Sequence, residues 1–243
     1  MVAIFKSVIL FLFASAIAAG ASAQLAIDKL WIDFDEQRDT RGDLLLANES
    51  DERYYISVDP VEIVNPGTDE EERVSYSDPE ELGLLVTPNR LILDPGQSRS
   101  LRVIRISGDM SRDRVYRVRI EPKVGEIRAE GFEAERAMVL KILTAYEVLV
   151  TSRPLNPSYE LDSSRTEDAI TLSNAGNSNA LVYDAYLCPA GKEPGADDAA
   201  CNKVSTRRLH PGNQWKIPIE EKSLQLHAKV KLRANDEEKS VVF

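Results

Sequence analysis

From Leu25 onward, apolar side chains recur at every second position far more often than at every third or fourth. Leu44 and Leu46 follow this spacing, as do Tyr54, Ile56 and Val58, and then Leu91 with Leu93 and Leu101 with Val103. Val118 with Ile120, Leu181 with Tyr183 and Val230 with Leu232 continue it. A strand turns successive side chains to opposite faces, so such runs predict short strands with one buried face. They are punctuated at Asn48-Glu49-Ser50, Asn65-Pro66-Gly67, Asp94-Pro95-Gly96, Asn174-Ala175-Gly176 and Pro211-Gly212. Asn, Pro and Gly supply the dihedrals that tight reversals need. Alternating runs between regular turns predict an antiparallel, all-β sandwich architecture. Ala134–Val150 opens with helix-favouring Ala, Glu and Arg. Met138, Leu140, Ile142 and Thr144 alternate within it, however, and β-branched residues follow, which predicts a strand over the whole stretch.

One segment interrupts the pattern. Ser152-Arg153-Pro154-Leu155-Asn156-Pro157 places two prolines three residues apart, which stiffens the chain and forbids a continuing ladder. The part before it and the part after it each have room for one sandwich of roughly 100 residues. The expected organisation is a first domain over residues 24–152 and a second over residues 153–243.

The first residues differ from everything that follows. Lys6 precedes an apolar run from Val8 to Ala19, and small residues end in Ala21-Ser22-Ala23. A basic start, an apolar stretch too short to span a bilayer comfortably and an A-x-A ending are the parts of a secretory signal peptide, residues 1–23, cleaved after Ala23. An uncleaved anchor is the alternative. Composition is otherwise that of a globular chain, 43% hydrophobic and 29% charged over 243 residues. Its 40 acidic against 30 basic residues give a net charge of −10, which argues against nucleic acid, because affinity for a polyanion comes mostly from Lys and Arg on phosphates. Removal of the leader would take away Lys6 and no acid.

Export changes what the cysteines mean. Cys188 and Cys201 enclose a segment rich in Gly, Pro, Ala and Asp, a suitable loop for one disulfide in an oxidising compartment, with two free thiols as the alternative. Such a closure is worth roughly 3 kcal/mol in the chain-entropy model. With two cysteines and two histidines the chain has almost no material for a His/Cys zinc site, and no metal or cofactor is expected. His210 and His227 lack HExxH spacing and read as strand-end or surface residues. No GxSxG elbow, GxxxxGK loop or GxGxxG fingerprint occurs, so no enzyme is expected. Asp33, Asp35 and Asp39 loosely suggest a calcium loop, but Gln37 and Arg41 fall at ligand positions and no bidentate Glu follows, which favours a solvated hairpin. Asp69–Arg73 reads as an exposed charged loop.

The remaining class is binding, and here the residues resemble a family. Leu84-Leu85-Val86-Thr87-Pro88 leads into Asn89-Arg90-Leu91-Ile92-Leu93, the turn Asp94-Pro95-Gly96-Gln97, and then Leu101-Arg102-Val103. This stretch resembles the middle of the first domain of the PapD-like periplasmic pilus chaperones. Leu44–Ser50 resembles that family's second strand and its Asn-x-Ser turn. Arg112–Val118 sits where the family has an Arg-Glu-Ser segment and an aromatic strand. Arg153-Pro154 matches the Arg-Pro that ends the family's first domain, and Asn235-Asp236 precedes a terminal strand as in its second.

The resemblance implies two immunoglobulin-like β-sandwich domains in a boomerang arrangement, working in the periplasm on pilus or fimbrial subunits. A pilus protein lacking its last strand exposes an apolar groove and unpaired backbone groups, an aggregation hazard. A chaperone can lend a strand that supplies main-chain hydrogen bonds and alternate side chains for the groove, and then deliver its cargo to an outer-membrane usher. Counting back from Arg153-Pro154 places Leu140, Ile142 and Thr144 on the donor positions, with Met138 one step earlier and the polar stretch Lys123–Arg136 before them. Alternation alone permits the other face, on which these side chains fill the first domain's own core. Self-association through the same strand is a further expectation.

The resemblance also assigns charges. Arg153 matches the family's arginine at the domain junction, Asp113 its partner acid, and Asp236 the acid of the second domain; three unrelated surface charges are the alternative. The family anchors the terminal carboxylate of its cargo with an Arg on the first strand and a Lys on the last strand of domain one. The matching positions here are Trp31 and Leu149, and Lys29 and Lys141 lie nearby as candidate substitutes through a register shift. The competing function is an exported two-domain β-sandwich binding protein without chaperone activity.

Overall fold

In the strand Tyr54–Val64, Tyr54, Ile56 and Val58 are buried while Tyr55 and Asp59 face solvent, which is how a half-buried strand reads in three dimensions. The structure, a computed structural model, describes residues 25–34, 40–106, 110–125, 141–195, 200–233 and 236–243. The leader, its cleavage site, Asp35, Asp39, Met138, Leu140 and Asn235 lie outside the described residues.

The first ten strands form two sheets. β1 (Leu25–Ile27), β3 (Arg41–Asn48), β8 (Ser98–Arg105) and β6 (Leu84–Thr87) make one, in the order β1-β3-β8-β6. β2 (Trp31–Phe34), β10 (Tyr146–Ser152), β9 (Arg114–Lys123), β4 (Tyr54–Val64) and β5 (Glu72–Val74) make the other in that order, with β7 (Arg90–Leu93) also on β4. The short helix α1 (Pro79–Leu82) precedes β6. Leu44, Leu46, Leu93, Leu101, Val103, Val118, Ile120, Val148 and Val150 meet between the sheets in one core.

The remaining strands build a second pair of sheets with a core of its own. β11 (Leu161–Arg165), β12 (Ala169–Asn174) and β16 (Gln214–Pro218) form a three-stranded sheet. It faces β14 (Asn202–Val204), β13 (Ala180–Pro189), β17 (Leu224–Lys231) and β18 (Lys239–Val242), with β15 (Arg207–Leu209) also on β13. Ile170, Leu172, Val182, Leu187, Trp215, Ile217, Leu226 and Val230 fill the space between. Here one expected phase is inverted. Ala180 and Val182 point inward on β13 and Leu181 and Tyr183 do not, while Leu232 falls beyond the end of β17. A run that is apolar at both parities carries no phase in itself; the partner sheet decides which side chains are covered. Cys188 and Cys201 are joined in a disulfide.

The two sandwiches share one corner device. The buried Asn48 side chain donates to Glu52 O (2.6 Å) and Leu93 O (3.0 Å) and accepts from Ser50 N (3.0 Å). Asn174 does the same toward Ser178 O (2.8 Å), Leu209 O (3.0 Å) and Gly176 N (3.0 Å). Both asparagines also bind the Pro-Gly turn that leads into the neighbouring strand of the same sheet, because Gly96 N donates to Asn48 O and Gly212 N to Asn174 O. Each Pro-Gly turn needs a glycine at positive φ, 72° at Gly96 and 84° at Gly212. The turn signals along the chain are thus more than punctuation: they pair up and lock each sandwich at the same place.

Candidate functional site

Strand β10 ends at the junction between the sandwiches, and the residues after it hold the two together. Arg153 follows directly and is 1% exposed. Its Nε and Nη2 donate to the two carboxylate oxygens of Asp33, each at 2.7 Å, and its Nη1 donates to Ser178 Oγ at 2.7 Å. Ser178 in turn donates to Asp113 Oδ1 at 2.7 Å, and Asp113 Oδ2 accepts from Asn179 N at 2.8 Å and lies 3.8 Å from Arg153 Nη1. Asp33 and Asp113 come from the first sandwich, Ser178 and Asn179 from the second. Burial opposes the charge on Arg153, but Asp33, Asp113 and Asp236 together outweigh it and raise its pKa.

Of the three charges expected here, Arg153 and Asp113 lie side by side. Asp236 acts on Arg153 through its field, while its own carboxylate accepts from Arg233 N at 3.0 Å. The direct partner is Asp33, for which the sequence predicts a solvated hairpin. It sits instead on the edge strand β2, opposite Thr151 of β10 in a parallel register. Parallel pairing of two segments so far apart in the chain leaves no local spacing signal.

Beside the junction lies a cleft of about 490 Å³ lined by residues of both sandwiches, among them Glu62, Asn65, Arg112, Arg114, His210 and Asn213. Asn213 Nδ2 donates across it to Pro66 O at 2.8 Å. Burial, reinforced by the neighbouring Arg208, pushes the His210 imidazole down to about 4. His227, expected at a strand end or on the surface, lies within β17, and its Nε2 is buried.

Upstream of β10 the structure departs from a continuous strand. The ladder with β9 starts at the pair Tyr146–Ile120, and residues 141–145 precede it without regular structure. Just beyond Ile120, β9 reaches Pro122, which has no N–H to offer a ladder. The side chains also change sides there. Ile142 is 69% exposed and Thr144 is exposed, whereas Leu143 packs against the first core. From Tyr146 onward the even positions turn inward: Tyr146 packs on the core, its hydroxyl donates to Leu25 O at 2.7 Å, and Val148 and Val150 are fully buried. Residues of one parity in the sequence therefore occupy two faces. Leu149 lies opposite Trp31 in register, so the two positions matched to the family's anchoring cations are cross-strand neighbours. Lys29 pairs with Asp28 at 3.8 Å and Lys141 pairs with Glu52.

Two sandwiches are clasped through a buried arginine, and an exposed Ile142 stands just before the last strand of the first. No protein-family model matches the sequence. Among curated proteins, the chain is 30% identical over 166 residues to a CFA/I fimbrial subunit of Escherichia coli, covering 68% of each. It is 28% identical over 173 residues to a CS1 fimbrial subunit of the same organism, covering 70% of this chain and 71% of that one. Among solved structures it superposes on the class 5 fimbriae chaperone CfaA with a TM-score of 0.71 at 24% identity, covering 90% of this chain and 98% of that one. The fold is that of two immunoglobulin-like sandwiches. The chain belongs to the family of that CFA/I fimbrial protein.

Proposed function

We propose that this protein is a periplasmic chaperone that caps fimbrial subunits by lending them a strand and hands them to an outer-membrane usher. Its leader, residues 1–23, directs export and is removed after Ala23. Domain one spans residues 24–152 and lends the strand; domain two spans residues 153–243 and is held to it through Arg153, Asp33, Asp113 and Asp236. Met138, Leu140, Ile142 and Thr144 form the loaned set. The observation that carries the proposal is the 69% exposure of Ile142 beside a core-facing Leu143, because a side chain that filled the chaperone's own core would be covered. Met138 and Leu140 join the set by their parity in the sequence. An exposed apolar segment continuous with a strand is a liability for a free protein and an asset for one that completes another sandwich.

Co-expression with one of the fimbrial subunits, followed by purification from periplasm, tests this. Ile142→Asp and Leu140→Asp should abolish co-purification of the fimbrial protein while the chaperone accumulates and melts as wild type. Loss of the chaperone itself in both variants would instead make these residues core and overturn the proposal.

A further inference from the structure

β10 has a neighbour along its whole length on one side and along only part of it on the other. β9 pairs with it from Tyr146 to Ser152, whereas β2 joins in parallel only over Leu149–Ser152. The Leu149 N–H donates to Leu30 O at 2.9 Å, which closes that edge from Leu30 onward. Among the described residues, the edge upstream of Leu149 is where a further strand can add to β10, and β2 prevents such a strand from running on past Leu30. The side chains standing at that stop are Leu30, 47% exposed, and Trp31, 66% exposed. Sheet edges are ordinarily guarded by charge or proline, and an indole beside a leucine is the opposite of a guard. Tryptophan instead offers a large, rigid contact area at low conformational cost and is enriched where proteins bind one another.

Building on the strand-lending function, we propose that Leu30 and Trp31 seat the end of the captured fimbrial protein's strand by gripping an apolar side chain there. The occupant is the segment of that protein that adds to β10, because its path along the open edge leads into these two residues. Each nearby lysine already has a carboxylate beside it, Asp28 at Lys29 and Glu52 at Lys141, which lowers its pull on an arriving carboxylate. The seat therefore selects for apolar bulk at the strand end rather than for charge.

The chain has two tryptophans, and the other, Trp215, is 5% exposed in the second core, so tryptophan fluorescence reports on Trp31 separately. The probe is a fimbrial subunit whose tryptophans are replaced by phenylalanine, co-purified with the chaperone. In the free chaperone acrylamide should quench the Trp31 emission; in the complex the emission should move to shorter wavelength and escape quenching. Trp31→Ala should weaken capture by about thirtyfold or more, with unchanged melting because the side chain is exposed. Arg117→Gln, which removes the cation opposite Leu149, should weaken it by no more than about fivefold. An indole still open to acrylamide in the complex, or a Trp31→Ala variant that captures like wild type while Ile142→Asp does not, overturns the seat and leaves strand lending intact. Capture by Ile142→Asp at the wild-type level overturns strand lending, and the seat with it.

Discussion

Arg153 grips Asp33 with two parallel hydrogen bonds of 2.7 Å, and this pair ties an edge strand of the first sandwich to the junction with the second. The third guanidinium nitrogen reaches Ser178 of the second sandwich, and Nη2 also lies 3.4 Å from Leu232 O. A planar fork can serve three directions at once, which a lysine ammonium on a flexible stem cannot. β10 therefore connects the segment that carries the exposed Ile142 at one end to the junction between the sandwiches at the other.

Asp113 should matter more than Asp33. Its side chain is 1% exposed against 35% for Asp33, and it binds Ser178, Asn179 and Arg153. Asp113→Ala leaves the buried Ser178 hydroxyl and Asn179 N–H without their acceptor and removes one of the two acids facing the buried guanidinium, at a cost of about 3–5 kcal/mol. Asp33→Ala, discounted for its solvent exposure, should cost about 1–2 kcal/mol. Chemical denaturation of the two variants measures both, with the transitions of the two sandwiches fitted separately.

Stability should fall with acid through His210. Its folded-state value of about 4 lies below the unfolded value of 6.5, so the unfolded chain binds the proton first. Stability conferred by the neutral imidazole is complete above pH 6.5 and is lost progressively as pH falls to about 4, by up to about 3 kcal/mol. His210→Gln should flatten the denaturation midpoint over that window relative to wild type. An unchanged slope would show that the histidine is not the group responsible.

Reduction of Cys188–Cys201 should act on one sandwich alone. Its 13-residue separation corresponds to about 3 kcal/mol of chain entropy. Dithiothreitol should lower the midpoint of the second transition and leave the first, whose core contains no cysteine, in place. Hydrogen exchange of β13 against β9 resolves the two.

The corner asparagines should differ. Asn174→Ala leaves the buried carbonyls of Ser178 and Leu209 without their side-chain donor, at about 2–4 kcal/mol, whereas Asn48→Ala does so only for Leu93 O, because Ser50 Oγ also donates to Glu52 O, and should cost about 1–3 kcal/mol. Each should lower only the transition of its own sandwich in a two-wavelength thermal scan.

Much of the fold was legible beforehand because it is local. Period-two alternation marked β3, β4, β8 and β9 with the correct buried face, and the Pro-Gly turns marked the reversals between strands. The two prolines after Arg153 marked the boundary between the sandwiches, and the resemblance to a known family's Arg-Pro marked Arg153 itself. Asp33 was not marked, since its meaning depends on a parallel pairing with Thr151 that no spacing announces.

The even-numbered apolar run from Met138 to Val150 shows the division most clearly. By itself the sequence determined that one parity is apolar and that the chain alternates, because both follow from the order of side chains on an extended backbone. Which way that parity faces was decided by tertiary structure. Val148 and Val150 turn into the core where β9 holds the strand, while Ile142, before that ladder begins, turns out. The pairing partner sets the pleat, and where the described pairing with β9 stops, the same alternation is left to face a different neighbour.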